Sequence, residues 1–143
     1  MIEGILITPL SIIDTSGGNV MHGIKKSDKG YSGFGEAYFS NIDFQEIKAW
    51  KRHRIMTLNI IVPVGKIRFV FMDDRVSTKE QFQEVIISEE NYSRITVPPM
   101  IWMGFQGMSN SGAFLLNIAD IEHNPEEIDK REISEVEFNW SNK

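Results

Sequence analysis

The stretch MTLNIIVPVGKIRFVFMDD, residues 56–74, constrains the fold more than any other. Two runs rich in β-branched and aromatic residues meet at Val64-Gly65, a pattern that predicts two strands joined by a tight hairpin. One face carries Leu58, Ile60 and Val62, then Ile67, Phe69 and Phe71; the other carries Thr57, Asn59 and Ile61, then Lys66, Arg68 and Val70. The first set is predicted to face the interior, because burying it removes far more apolar surface from water.

The rest of the chain repeats the theme. GILITPLSII, GYSGFGEAYFS, FQEIKAWKRH, EQFQEVIISEE (alternating around Phe82, Val85 and Ile87), SRITVPP, IWMGFQG and GAFLLNIAD are each of strand length. Turn signals such as DTSGGN and MSNSG separate them. Short strands with regular turns and almost no helical period predict an all-β sandwich or barrel. Only the tail NPEEIDKREISEVEFNW departs, opening on Asn124-Pro125; it is predicted to hold a turn of helix before a last strand segment. With no linker, repeat or low-complexity stretch, residues 1–143 read as a single domain.

A net charge of −5 excludes a general affinity for nucleic acid, which demands clustered Lys and Arg. No apolar run is long enough for a transmembrane helix, so no membrane partner is expected. The start, MIEGILITPL, carries Glu3 and lacks both a basic n-region and a cleavage pattern, so the plain expectation is a cytoplasmic protein. The absence of cysteine removes disulfides, thiolate metal sites and a Cys nucleophile together.

Motif spacing adds a resemblance. The cupin superfamily's first motif runs His-x-His, four residues, Glu, six residues, Gly, and that ruler fits Lys51, His53, Leu58 and Gly65 without a gap. The second, Pro-x-Gly-x-x-His, fits Pro98, Met100 and Met103 in VPPMIWMGF. Among cupins the chain resembles the RmlC-like group: dTDP-4-dehydrorhamnose 3,5-epimerases and related sugar-nucleotide epimerases and 3,4-ketoisomerases. In FGEAYFSNIDFQEIKAWK, Phe34 and Ser40 match, Glu36 replaces Gln and Lys48 replaces Arg; MDDR, with Asp73 and Arg75, and the closing VEFNW also fit. The similarity runs from about Asp14 to Trp140. It implies a cupin jelly-roll β-sandwich or barrel with a short C-terminal tail, a homodimer, and work on nucleotide-linked sugars for surface polysaccharide.

The departures bear on chemistry. The epimerase base falls at Lys51, its tyrosine acid at Leu116, and a strand aspartate and a phosphate-side lysine at Phe69 and Leu58; Asp14-Thr15-Ser16-Gly17 lacks the family arginine. The ketoisomerases keep His-x-His, of which His53 matches the second. Proton abstraction beside a carbonyl needs a base of pKa near the working pH, which His53 meets unperturbed and Lys51 meets only if burial lowers it. An exposed basic patch, Lys51 to Arg54, is the plainer alternative. Lys48 is expected at a nucleotide diphosphate, as a point charge without an arginine's fork. Glu36, Tyr38 and Ser40 share one strand face, as do Ala49, Lys51 and His53; such polar faces fit a half-open pocket or a solvent-facing strand equally well. Trp50 and Trp102 fit ring stacking on a sugar or base, or core packing. Arg75 reads as an ion-pair partner of Asp73 or Asp74, and Met103 as an apolar plug beside Leu58, Phe69 and Leu116. His22 and His123 receive no role.

Two functions follow from the resemblance. One is an isomerase or epimerase of nucleotide-linked keto sugars with an altered active site. The other is a non-catalytic cupin that binds a nucleotide sugar or a partner enzyme. No cofactor is expected. Of the cupin ligand positions Lys51, His53, Leu58 and Met103, only His53 carries a usual donor, and a divalent ion needs three or four. Elemental analysis of the purified protein should therefore find no stoichiometric zinc, iron or manganese; close to one ion per chain would overturn this reading.

Overall fold

A computed structural model describes residues 1–76 and 79–141. Its strands are β1 (Leu6–Pro9), β2 (Ile12–Thr15), β3 (Gly18–Met21), β4 (Glu36–Ile42), β5 (Ile47–His53) and β6 (Leu58–Val64), then β7 (Ile67–Asp73), β8 (Gln81–Ile87), β9 (Ser93–Val97), β10 (Trp102–Gly107), β11 (Ala113–Ala119) and β12 (Ile128–Lys130). Single 3-10 turns occupy Pro125–Glu127 and Ile133–Glu135. Two five-stranded antiparallel sheets face each other, ordered β1-β9-β6-β11-β4 and β12-β5-β10-β7-β8, while β2 and β3 pair only with one another. The protein is an all-β jelly-roll sandwich with a short tail.

The hairpin expected at Val64-Gly65 is instead a corner between sheets. β6 pairs with β9 and β11 in the first sheet, whereas β7 pairs with β10 and β8 in the second. Gly65 has φ of 87°, and a Cβ there would lie 2.5 Å from the Ala113 Cβ, so the corner leaves no room for a side chain. The expected faces nonetheless meet in the interior. Leu58, Ile60 and Val62 come from one sheet and Ile67, Phe69 and Phe71 from the other, all buried in one core. The crossing turns a pattern that fits a hairpin into the two walls of a sandwich. The N-terminal run also divides, into β1 and β2, and β3 begins within the residues that read as turn.

A second core lies on the outer face of the second sheet. Trp50, Val70, Met72 and Trp102 are covered there by Val136 and Trp140 of the tail, with Phe82 and Phe138 packed alongside. Phe138 meets Trp140 edge-on at 5.1 Å, and Trp140 lies 5.5 Å from Trp50. Arg68, buried at 2 % exposure, is accommodated because every side of its guanidinium is used. It donates to the Trp140 carbonyl (3.0 Å), Gln106 Oε1 and Glu84 Oε2, and lies over the Phe138 and Trp140 rings.

Two local irregularities position the site. Met103 stands opposite Lys51 and Phe105 opposite Lys48, so Ala49 and Trp50 together face the single residue Gly104, a β-bulge. The bulge resets the alternation of β5. Trp50 turns to the outer core, while Lys48 and Lys51, three apart, both reach the interior edge. At the start of β10, Met100 holds φ of 72° and donates its N–H to the His53 carbonyl at 2.7 Å. The turn that glycine serves in the resembling motif is thus kept by a methionine in a left-handed conformation. Arg75 pairs with Asp73 as expected, through Nε to Oδ1 at 2.8 Å and Nη2 to Oδ2 at 3.0 Å.

Because the tail closes the second core, Trp140→Ala should destabilise the protein by about 3–5 kcal/mol in urea unfolding. A loss below about 1 kcal/mol would show that the tail does not hold this sheet.

Candidate functional site

A cavity of about 580 Å³ opens between the β4–β11 side of the first sheet and the β12–β5–β10 side of the second. Its floor is apolar: Leu58, Ile60 and Leu115 from one sheet, Met103 and Phe105 from the other. Met103 does face the cavity, and Leu58 lies beside it. Leu116 does not, which corrects the expectation built on its alignment to the family tyrosine. It pairs with Phe39 and Ile61 on the first sheet's outer side, and its neighbours Leu115 and Asn117 face inward instead. Phe69 belongs to the core beneath rather than to the lining.

The central group is His53. β5 carries it to the cavity edge, buried at 8 % exposure, and its Nδ1 lies 2.5 Å from Glu127 Oε2. Glu127 comes from the 3-10 turn that Asn124 caps and Pro125 starts, 2 % exposed. Its other oxygen accepts from the backbone N–H of Ile55 (3.0 Å) and of Met56 (2.9 Å). Burial works against the charge on Glu127, but the Met56 amide, the His53 ring and the Ile55 amide outweigh it and hold the carboxyl below its ordinary range. An ionised Glu127 accepts the Nδ1 proton, which leaves Nε2 of a neutral His53 as the basic nitrogen.

Ion pairs fix the same segment to β5. β12 runs antiparallel to β5, with Ile128 opposite His53 and Lys130 opposite Lys51. Arg52 donates to Asp129 Oδ2 through Nε (2.9 Å) and Nη2 (2.7 Å), and Arg54 also pairs with Asp129. On the outer face Arg52 and Arg131 both lie over the Trp102 ring, at 4.6 and 4.3 Å, while Trp102 Nε1 donates to Asp74 Oδ2. Trp102 is therefore committed to structure and lies outside the cavity lining. Trp50 borders the cavity, but its ring packs on Trp140 and Phe138 in the outer core. Neither tryptophan takes the ring-stacking place that the sequence offered.

Lysines rim the opening. Lys51 is reached by solvent yet surrounded by protein on its cavity side. Loss of hydration there, with the nearby charge of Lys130, lowers its pKa below the usual lysine value, against the opposing pull of Glu127. Lys48 extends across the mouth and donates to the Asn41 carbonyl of β4 at 2.5 Å, with the Phe105 ring beneath at 5.9 Å. Lys130 completes the basic side, Glu132 and Glu135 border it, and Arg131 lines the cavity while its guanidinium turns outward to Trp102 and Asp74.

The opposite wall belongs to β4 and β11. Tyr38 and Ser40 line the cavity with Asn117, and Asn117 Nδ2 donates to the Tyr38 hydroxyl at 3.1 Å. Glu36 lies on the same strand face beyond the lining, its Oε1 buried without a hydrogen-bond partner among the described residues. Tyr38, Ser40, Lys48, Lys51 and His53 are thus brought to one cavity; Glu36 and Trp102 are not. Sequence reading missed Glu127 and Asn117. The signal for Glu127 was the Asn-Pro start of its turn, which marks a structured tail but not the histidine it would meet. Among the described residues no group of three or more His, Asp or Glu is arranged to hold a metal ion.

No protein-family model matches the chain, and no curated protein sequence is similar to it. Solved structures are. A dTDP sugar isomerase from Desulfovibrio desulfuricans G20 shares 33% identity with a TM-score of 0.93, over 99% of this chain and 94% of that one. A dTDP-4-dehydrorhamnose 3,5-epimerase from Sulfolobus tokodaii has a TM-score of 0.83 at 17% identity, over 96% of this chain and 82% of that one. A sugar 3,4-ketoisomerase from Thermoanaerobacterium thermosaccharolyticum in complex with TDP has a TM-score of 0.74 at 13% identity, over 92% and 90%. The more distant two share the fold; the similarity to the first, over nearly the whole of both chains, reaches the sequence as well. This chain therefore belongs to the RmlC-like family of dTDP-sugar isomerases and epimerases.

Proposed function

We propose that the protein isomerises or epimerises a dTDP-linked keto sugar by moving a proton next to the carbonyl. One observation carries the reading: a buried, ionised Glu127 holds His53 by Nδ1 at the edge of a cavity whose far wall presents Tyr38. His53 Nε2 removes the proton, and the enolate that forms is stabilised by the Tyr38 hydroxyl and the positive charge of Lys51. The family's base position is filled by Lys51, so the work falls to the neighbouring imidazole. Lys48 and Lys130 offer the cationic rim that a nucleoside diphosphate requires. The setting that the family implies is the cytoplasmic supply of activated sugars for surface polysaccharide.

We also infer a homodimer. The β2–β3 ribbon joins neither sheet, and so short a hairpin is marginal alone in water. It exposes Ile13 and Val20, while β4 forms a free sheet edge with Phe39 at 64 % exposure against Phe114.

The second reading, a non-catalytic cupin that binds a nucleotide sugar or a partner enzyme, draws on the apolar floor around Met103 and Leu115. Turnover separates the two. In deuterium oxide the wild type should exchange one carbon of a dTDP-4-keto-6-deoxy sugar and not both C3 and C5, with His53→Asn abolishing the exchange. Glu127→Gln should reduce it by at least about a hundredfold, since the imidazole loses its tautomer partner. Deuterium at both carbons, unaffected by His53→Asn, would place the proton donors elsewhere.

Glu127 is also more acidic in the folded protein than in the unfolded chain. Its ionised form thus stabilises the fold above the ordinary carboxylate range, and that contribution is lost as pH falls through its depressed folded value. Acid unfolding followed by circular dichroism should show a shallower acid limb in Glu127→Gln than in wild type. Lys48→Glu should weaken dTDP binding by about tenfold or more in calorimetry. Equal binding by both proteins, or none by either, would remove Lys48 from the phosphate site.

A further inference from the structure

Strand β5 carries four side chains that hold a charge or can take one: Lys48, Lys51, Arg52 and His53. Three of them are engaged. Lys48 donates to the Asn41 carbonyl, Arg52 binds Asp129 and Asp74, and His53 is held by Glu127. Lys51 differs: among the described residues no carboxylate forms an ion pair with its Nζ and no acceptor takes its protons. Its cross-strand neighbours supply the reason. Met103 stands opposite on β10 and Lys130 opposite on β12, one apolar and the other of like charge.

Past the bulge β5 alternates regularly, so Lys51 and His53 share the inner face. Both line the cavity, and both also border a smaller apolar recess walled by Met56, Val97 and Ile101. Solvent reaches Lys51 from the mouth, but little at this place favours an ammonium. Lost hydration and the charge of Lys130, with a smaller push from Lys48, favour the free amine against the pull of Glu127. Apolar surroundings and a neighbouring cation are the two settings that make a lysine a nucleophile. Lys51 has both, two residues from an imidazole able to move protons.

We propose that Lys51 condenses with the carbonyl of the bound keto sugar, forming an iminium that holds the ligand covalently while His53 moves the proton. This rests on the isomerase reading above and deepens it. The positive charge that Lys51 brings is then an iminium's, made at the carbonyl carbon itself, and not an ammonium's set beside it.

The step balances without oxidant or reductant. The Nζ lone pair adds to the carbonyl carbon, and one Nζ proton passes to the carbonyl oxygen. The resulting hydroxyl leaves as water with one further proton, drawn from solvent through His53, and the carbon–nitrogen double bond closes with one positive charge. His53 Nε2 then takes the proton from the adjacent carbon; its electron pair forms a carbon–carbon double bond, and nitrogen regains its lone pair as a neutral enamine. Return of the proton restores the iminium. Addition of water releases the ketone and frees the amine.

The test incubates the full-length protein with dTDP-4-keto-6-deoxyglucose and sodium cyanoborohydride, which reduces iminium ions in preference to ketones. Intact-mass spectrometry of the wild type should show one adduct equal to the sugar nucleotide less one oxygen atom, mapped to Lys51 and prevented by excess dTDP. Lys51→Arg keeps the charge but offers no comparable nucleophile, so it should lose the adduct and slow deuterium exchange by about a hundredfold or more. Exchange within about threefold of wild type in that variant overturns the proposal, because a charge would then suffice. If Lys51→Arg fails to fold, the mapped wild-type adduct decides. A wild type that exchanges deuterium yet carries no adduct overturns the proposal and leaves the enzyme reading intact. An adduct on Lys48 or Lys130 alone, or one that dTDP does not prevent, also overturns it, since any exposed lysine could give that result. An adduct at Lys51 without deuterium exchange keeps the covalent site and removes the isomerase reading. A protein that does neither removes both.

Discussion

Everything at the cavity edge depends on one buried carboxylate. Glu127 accepts from a ring nitrogen and from two successive backbone amides, and these contacts tie residues more than seventy positions apart in sequence. An unpaired charge at that depth would be strongly destabilising, so the three donors must be present together. They impose a geometry in return. The turn after β5 must offer the Ile55 and Met56 amides, β12 must lie along β5, and His53 must hold one ring orientation. Arg52, Arg54 and Asp129 secure the same alignment from outside the cavity.

The second sheet serves two environments with one set of strands. On its inner face β7 and β10 supply aromatic residues to the main core; on its outer face they meet the tail. The bulge opposite Gly104 lets β5 contribute to both, sending Trp50 outward and two lysines inward. A Cβ on Gly104 would lie 2.6 Å from the Ala49 Cβ and 2.9 Å from Trp140 Cζ2, so the close approach depends on a residue without a side chain. Arg68 joins the two arrangements by bonding the tail's backbone from the middle of the sheet.

The sequence made the fold legible because alternation survives whatever a strand pairs with. Leu58, Ile60 and Val62 read as buried, and they are, although β6 and β7 stand in different sheets. Pairing partners are set by long-range geometry, which is why a glycine corner reads as a hairpin. Strict alternation put Lys48 on the face opposite Lys51, and only the bulge brings both to the cavity. His53, Lys51 and Ser40 were legible as candidates through motif spacing, and Tyr38 through the strand face it shares with Ser40. Glu127 was not, since nothing local distinguishes a buried carboxylate from the exposed Glu126 before it. Leu116 shows the limit of an alignment carried across weak similarity: a one-residue step in a strand reverses the face.

The position of the tail has a consequence for how the protein comes into being. A chain made from its N-terminus can build both sheets except β12, with the apolar floor between them, before residues 125–140 are available. At that stage the cavity has walls but no partner for its histidine, and the outer face of the second sheet is bare of Val136, Phe138 and Trp140. The same closing segment delivers the carboxylate and covers the exposed aromatic surface. Covering of the aromatic face and placement of Glu127 beside His53 therefore depend on one and the same segment, residues 125–140.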